Sequence, residues 1–379
     1  MRLPTGLFVG RLWRPECEGP SVVTVRDGQL IDITCRAFPT MRDLLEHDDP
    51  VSLVREADGT AVGTLEAIAA QSVEPAGDAT AHLLAPCDLQ AVKACGVTFA
   101  RSMVERVIEE RAAGNPALAE KIRARVASII GDSLRNLKAG SAEAAKVKAA
   151  LIDEGLWSQY LEVGIGPDAE VFSKAQIMSS VGWGASVGLH PISKWNNPEP
   201  EVVLAVDSNG RIKGATLGND VNLRDVEGRS ALLLSKAKDN NASSAIGPFI
   251  RLFDDGFGMD DVRNAELELR IEGEDGFVLD GHSSMKEISR DPLDLVAQTL
   301  GRHHQYPDGF VLYLGTLFAP VEDRDVPGEG FTHKIGDRVS ISTPALGTLT
   351  NTVRLSTDCP PWTFGPAALM RNLAKRGLI

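Results

Sequence analysis

The sequence predicts an α+β fold: a β-rich, mixed-strand roll or barrel with a small N-terminal α+β domain and a helical lid. Three observations predict it. From Leu161 onward, short strand-like runs alternate with Gly and Pro about every ten residues. Between about Gln90 and Tyr160 the apolar period changes to helical, and those helices carry only a thin apolar stripe, as suits a cap over something larger. Before residue 80 the runs GLFVGRLW, SVVTV and QLIDIT read as strands, the last two joined by the hairpin turn Asp27-Gly28.

Taken in order, residues 1–80 hold those strands and a short helix, RDLLEH, with Thr40 as its N-cap. EPAGDATA (74–81) is linker-like, and residues 81–160 form the linker and helical lid. In the lid, Ser102 and Glu105 make a capping-box pattern, Asn115-Pro116 opens the next helix, and Ser141 caps a third that ends at Gly155. Residues 161–379 form a third, β-rich domain, where SRDPLDLVAQTLGR (289–302) is the clearest helix.

The chain has 379 residues and a net charge of −13, which weighs against a nucleic-acid or anionic-membrane surface. Five scattered cysteines without CxxC spacing fit reduced thiols, and the N-terminal apolar run is broken by Arg11. No stretch reaches the length of a membrane span, so the expected compartment is the cytoplasm.

The chemistry concentrates in residues 195–220. EVVLAV and RIKGATL read as a hairpin around Asp207-Ser208-Asn209-Gly210, with Asn209-Gly210 as a two-residue loop. Glu199 and Glu201, two apart, share a face, and that loop sets Asp220 opposite Glu199. Taken alone, a Glu-x-Glu is more often a solvated pair. Three carboxylates on one face instead call for a hard cation such as Mg²⁺, and a one-residue slip would turn Asp220 away.

PEPEVVLAV, GNDVNLRDVEGRSALLLSKAKD, DGFVLYLGT and HKIGDRVSISTPALGTLTNTV, in that order, resemble the fumarylacetoacetate hydrolase superfamily. The resemblance implies a β-rich roll with a helical lid, a homodimer or homotetramer, and Mg²⁺ (Mn²⁺ as the alternative) on Glu199, Glu201 and Asp220. It further implies Lys236 as the lysine after the metal aspartate and Lys174, in Phe-x-Lys, as an orienter of carboxylates. Arg224 completes the D-x-x-x-R-D motif, and Gly315 and Thr316 contact substrate, with Leu317 in place of the usual proline.

Hydrolytic members carry a lid His and Glu three residues apart; here Ser102 stands at the histidine's position and Glu105 at the glutamate's. Serine cannot accept a proton near neutral pH as imidazole does. His190, His282, His303, His304 and His333 read instead as surface or structural residues. Two readings compatible with the superfamily are an acylpyruvate-type C–C hydrolase, which here lacks its water-activating pair, and an inactive keto-acid-binding homologue.

GVTFARSMVERVIEERA, GLWSQYLEVGIGPDAEVF and KAKDNNASSAIGPF extend the likeness into the lid and resemble the 2-keto-3-deoxy-pentonate dehydratase branch. This implies loss of water from 2-keto-3-deoxy-D-xylonate or L-arabinonate to give 2-oxoglutarate semialdehyde. Lys236 or Glu105 would take the C3 proton, and Glu105, with Ser102 as a relay, would help the C4 hydroxyl leave.

Overall fold

The computed structural model describes residues 1–74, 77–99, 103, 107, 137–153, 155, 158–316, 322–325 and 330–379. Two sheets organise them. The larger runs Thr60–Thr64, Gln29–Asp32, Gly19–Arg26, Phe8–Arg14, Ser244–Leu252, Ile212–Asp220, Pro200–Val206, Phe310–Tyr313, Ala91–Gly96, Glu170–Ala175, with His82–Leu84 beside Phe8–Arg14. The smaller runs Val278–Ser284, Glu266–Glu272, Arg338–Thr343, Gly347–Leu355, Ser186–Leu189. Apolar side chains of both sheets, such as Leu204, Leu217, Phe249, Leu269, Ile341 and Leu349, share one buried cluster. The β-rich α+β class is as expected.

The N-terminal strands depart from the separate domain read from sequence. Phe8–Arg14 pairs with Ser244–Leu252 (Phe8 opposite Arg251), so residues before 80 extend the sheet that carries the hairpin. Ala91–Gly96 is a parallel partner of Phe310–Tyr313, not helix; its β-branched and small residues are buried within the sheet, and that tertiary setting overrides the helical period around it.

Local signals hold elsewhere. Asp27 and Gly28 both have positive φ, as a type I′ turn needs. Thr40 Oγ1 accepts from Asp43 N, and Ser141 Oγ accepts from Ala144 N at 3.1 Å to cap Ala142–Asp153. Asp291 caps Pro292–Thr299. The helix Pro366–Lys375 was not foreseen; Gly365 followed by Pro366 at its first position, with buried Leu369 and Leu373 one turn apart, was its signal. Among the described residues no helix is long and apolar enough to cross a membrane. All five cysteines are unpaired.

His333 is buried, its Nδ1 3.1 Å from Asp337 Oδ2, with Arg324 on the same carboxylate at 2.6 Å. Burial pushes the imidazole below its ordinary pKa, outweighing Asp337. Burial alone would raise Asp337, but hydrogen bonds from His333 and Arg324 reverse it. Burial lowers His82 as well. A group with a depressed folded pKa binds fewer protons folded than unfolded, so its stability contribution is full above the unfolded pKa and is lost on acidification. Urea midpoints are therefore expected to fall as pH drops below about 6.5, with the carboxylate's share lost below about 4. In His333→Asn the first step should shrink; an unchanged step would exclude His333 as its source.

Candidate metal centre

The hairpin positions the triad, though by a different route from the one expected. Gly210 N donates to Asp207 O and Asp207 N to Arg211 O, each at 3.0 Å. Gly210 sits at φ 79. The loop is thus Ser208-Asn209-Gly210, a turn closed by a left-handed residue, not a two-residue Asn-Gly turn. Asp207 Oδ1 fixes it by accepting from Asn209 N and Arg211 N at 2.9 Å. This loop alone would shift the pairing by one, and Val206 does face Ile212. A bulge between Ile212 and Gly214 then restores the expected register, so Gly218 faces Glu201, and Asp220 N donates to Glu199 O at 3.0 Å. The two departures cancel.

Glu199, Glu201 and Asp220 are all buried, and one carboxylate oxygen from each lies within 4.8 Å of the other two. Each is held in place. Asn222 Nδ2 donates to Glu199 Oε1 at 3.0 Å. Glu201 Oε2 accepts from Gly315 N at 2.6 Å. That contact follows from register: Tyr313 faces Val203, so two residues further on Gly315 meets Glu201. Gly315 has φ 91, and a Cβ there would stand 2.0 Å from Thr98 Oγ1, so only glycine brings its N–H this close. Lys174 Nζ lies 2.8 Å from Asp220 Oδ1, and Lys238 Nζ bridges Asp220 Oδ2 at 3.1 Å and Glu199 Oε2.

The charges set opposite pKa directions. Burial, then the charges of Asp220 and Glu199, push the Glu201 carboxyl well above its ordinary range. Burial would raise Asp220 too, but Lys174 and Lys238 hold it below. A cleft beside the triad is lined by five carboxylates (Glu170, Glu199, Glu201, Asp220, Glu227) and by Lys238, with Cys95, Phe172 and Thr316 among the rest. Hard oxygen donors in surplus over ammonium groups fit Mg²⁺ or a similar dication.

The structure does not bring Lys236 to this cleft. Lys236 is exposed, its Nζ 3.5 Å from His190 Nε2; the lysine that reaches the carboxylates is Lys238. Two residues apart on the helix Leu234–Lys238, the two side chains point to opposite sides, so choosing the wrong one inverts the assignment. Arg224 is buried with its guanidinium 4.2 Å over the Trp195 ring and is not among the described residues lining the cleft. Gly315 meets Glu201 through its backbone N–H, and Thr316 lines the cleft. Ser102, Glu105 and Leu317 lie outside the described residues. None of His190, His282, His303, His304 or His333 lines the cleft.

Two cleft carboxylates escaped the sequence reading. Glu170, Phe172 and Lys174 alternate along Glu170–Ala175 and so share one face; continuing the Phe-x-Lys spacing one step back would have found Glu170. Glu227 lies one helical turn after Arg224 in Arg224–Glu227.

Residues 196–354 match the family model described as fumarylacetoacetate (FAA) hydrolase C-terminal. A probable 2-keto-3-deoxyxylonate dehydratase of Haloferax volcanii is 28% identical over 256 residues, 68% of this chain and 84% of that protein. A 2-dehydro-3-deoxy-D-arabinonate dehydratase of Saccharolobus solfataricus is 31% identical over 188 residues, 49% of this chain and 58% of that protein. Among solved structures, the apo form of 2-keto-3-deoxy-D-arabinonate dehydratase superposes with a TM-score of 0.64 at 23% identity, covering 93% of this chain and 99% of that one. A 2-keto-3-deoxy-D-arabinonate dehydratase complexed with magnesium and 2,5-dioxopentanoate gives 0.63 at 22% identity, with 93% and 99% covered. The chain therefore shares their fold, and its residues 196–354, which hold the triad, match the fumarylacetoacetate hydrolase C-terminal domain.

Proposed function

We propose that this chain is a Mg²⁺-dependent dehydratase of a 2-keto-3-deoxy-pentonate, giving 2,5-dioxopentanoate (2-oxoglutarate semialdehyde). The observation that carries the reading is the buried Glu199–Glu201–Asp220 triad opening on a cleft. Supporting it are the two relatives named as dehydratases and the solved neighbour complexed with magnesium and 2,5-dioxopentanoate. Their two substrate names point to one compound. A ketone at C2 and a methylene at C3 erase two stereocentres, and D-xylonate and D-arabinonate agree at C4. The D enantiomer is thus the substrate we assign, in preference to the enantiomer from L-arabinonate.

The three carboxylates hold the ion, which when bound supplies Lewis acidity at the 2-keto acid end of the substrate. Lys238 places a positive charge beside that end, and the Thr316 hydroxyl lines the same cleft. Glu170, a further carboxylate lining the cleft, is the group we assign to carry protons between carbon and the departing hydroxyl. In balance, C3 loses a proton and C4 loses hydroxyl, which leaves as water. C5 then loses a proton while C3 and C4 regain one each, and the C5 hydroxyl becomes the aldehyde with loss of its own proton. The reading includes a homodimer or homotetramer, which light scattering would test.

Purified protein with Mg²⁺ is expected to convert the D enantiomer to product oxidised by a coupled semialdehyde dehydrogenase, with slower turnover of the L enantiomer. If both enantiomers stay intact in the presence of Mg²⁺, the proposal falls.

A further inference from the structure

The two buried lysines at the triad are held in different ways. The Lys174 ammonium has three partners: it forms an ion pair with Asp220 Oδ1 at 2.8 Å and donates to Val221 O at 3.3 Å and the Lys238 carbonyl at 2.5 Å. Two of these are backbone carbonyls that no ion at the triad would claim. Lys174 is 0% exposed, and its bond to the Lys238 carbonyl pins the end of the helix Leu234–Lys238 to the strand Glu170–Ala175.

Lys238 Nζ instead takes Glu199 Oε2 and Asp220 Oδ2, oxygens of two of the three carboxylates that would coordinate an ion. It lines the cleft, with the Phe172 ring centroid 5.9 Å away. Its flexible four-carbon stem lets the head move along the cleft without moving the helix. A dication among the same oxygens lies close to this ammonium, and like charges a few ångströms apart in a buried site repel strongly.

We propose that Lys238 is a resident counter-cation that neutralises the triad before metal arrives and is displaced from Glu199 and Asp220 by the divalent ion, whereas Lys174 is a permanent counter-cation. This rests on the metal reading above. It makes ion affinity a difference between two cations competing for the same oxygens. Lys238 thereby lets the protein fold with three carboxylates packed together, at the expense of ion affinity. Once displaced, its charge is delivered to the cleft only when the ion is in place.

The test is calorimetric titration of Mg²⁺ into substrate-free protein, with thermal melting in EDTA, for wild type, Lys238→Met and Lys238→Gln. Glutamine removes the charge but keeps a donor, and carries the test should the methionine variant not fold. Removing the competing charge is expected to tighten Mg²⁺ binding at least about tenfold and to lower the melting temperature in EDTA. Binding that is unchanged or weaker in the variants would overturn the proposal, because Lys238 would then be arranging the carboxylates for the ion and not opposing it. If wild type and variants alike take up no Mg²⁺, the triad is not a metal site and the reading of the previous subsection fails with it.

Discussion

Glu201→Gln is expected to abolish Mg²⁺ binding and to cut dehydratase turnover by roughly three orders of magnitude, about 4 kcal/mol of transition-state stabilisation. The substitution is nearly isosteric, and its carbonyl oxygen can still accept from Gly315 N, the contact that holds Glu201 in place at 2.6 Å. What changes is charge. Burial and two neighbouring carboxylates already oppose ionisation of Glu201, so the native residue is a source of repulsion in the absence of an ion. The amide removes that repulsion. The variant should therefore melt at a higher temperature than wild type in EDTA, yet show no upward shift on adding Mg²⁺. Calorimetry and paired melts check both halves. Undiminished Mg²⁺ affinity would strike Glu201 from the ligand set.

Lys174→Met should instead act on stability, costing about 3–5 kcal/mol, as breaking one side of a buried ion pair does. Asp220 would be left buried with only Lys238 to balance it, and the carbonyls of Val221 and Lys238 would lose their donor. The side chain cannot be replaced by water without opening the sheet, because Lys174 is fully buried. Lys93, on the adjoining strand Ala91–Gly96, is the control: its Nζ meets Ser173 Oγ at 3.2 Å on the outer side. Lys93→Met should change stability by no more than about 0.5 kcal/mol, the range of ordinary surface substitutions. Urea unfolding curves for the two variants make the comparison. Equal midpoints would mean that the buried pair contributes nothing net.

Much of this site was legible because it is local. Glu199, Glu201 and Asp220 belong to one hairpin, and period two with a turn signal was enough to bring them together. The reason given for the register was nonetheless incomplete, since a three-residue loop and a bulge at Lys213 offset one another. Lys213 is the extra residue, and its ammonium reaches back to Asp207 Oδ2 at 3.3 Å, a tie that no alternation rule reveals. Errors came where a half-turn of helix decides the outcome, as with Lys236 against Lys238, or where partners are distant in sequence. Gly315 meets Glu201 across 114 positions, and Glu170 reaches the cleft only because its strand closes the sheet edge. The N-terminal strands were read correctly one by one, but the sequence carries no mark of the strand they would join.

That last junction bears on how this protein can be re-engineered. Phe8–Arg14 covers the flank of Ser244–Leu252, which in turn supports Ile212–Asp220 and its terminal carboxylate. The first eighty residues are consequently scaffold for the reaction centre and not a detachable module. Chimeras that trade this segment for one from a relative would have to conserve the seam at Phe8 and Val9, whatever the substrate.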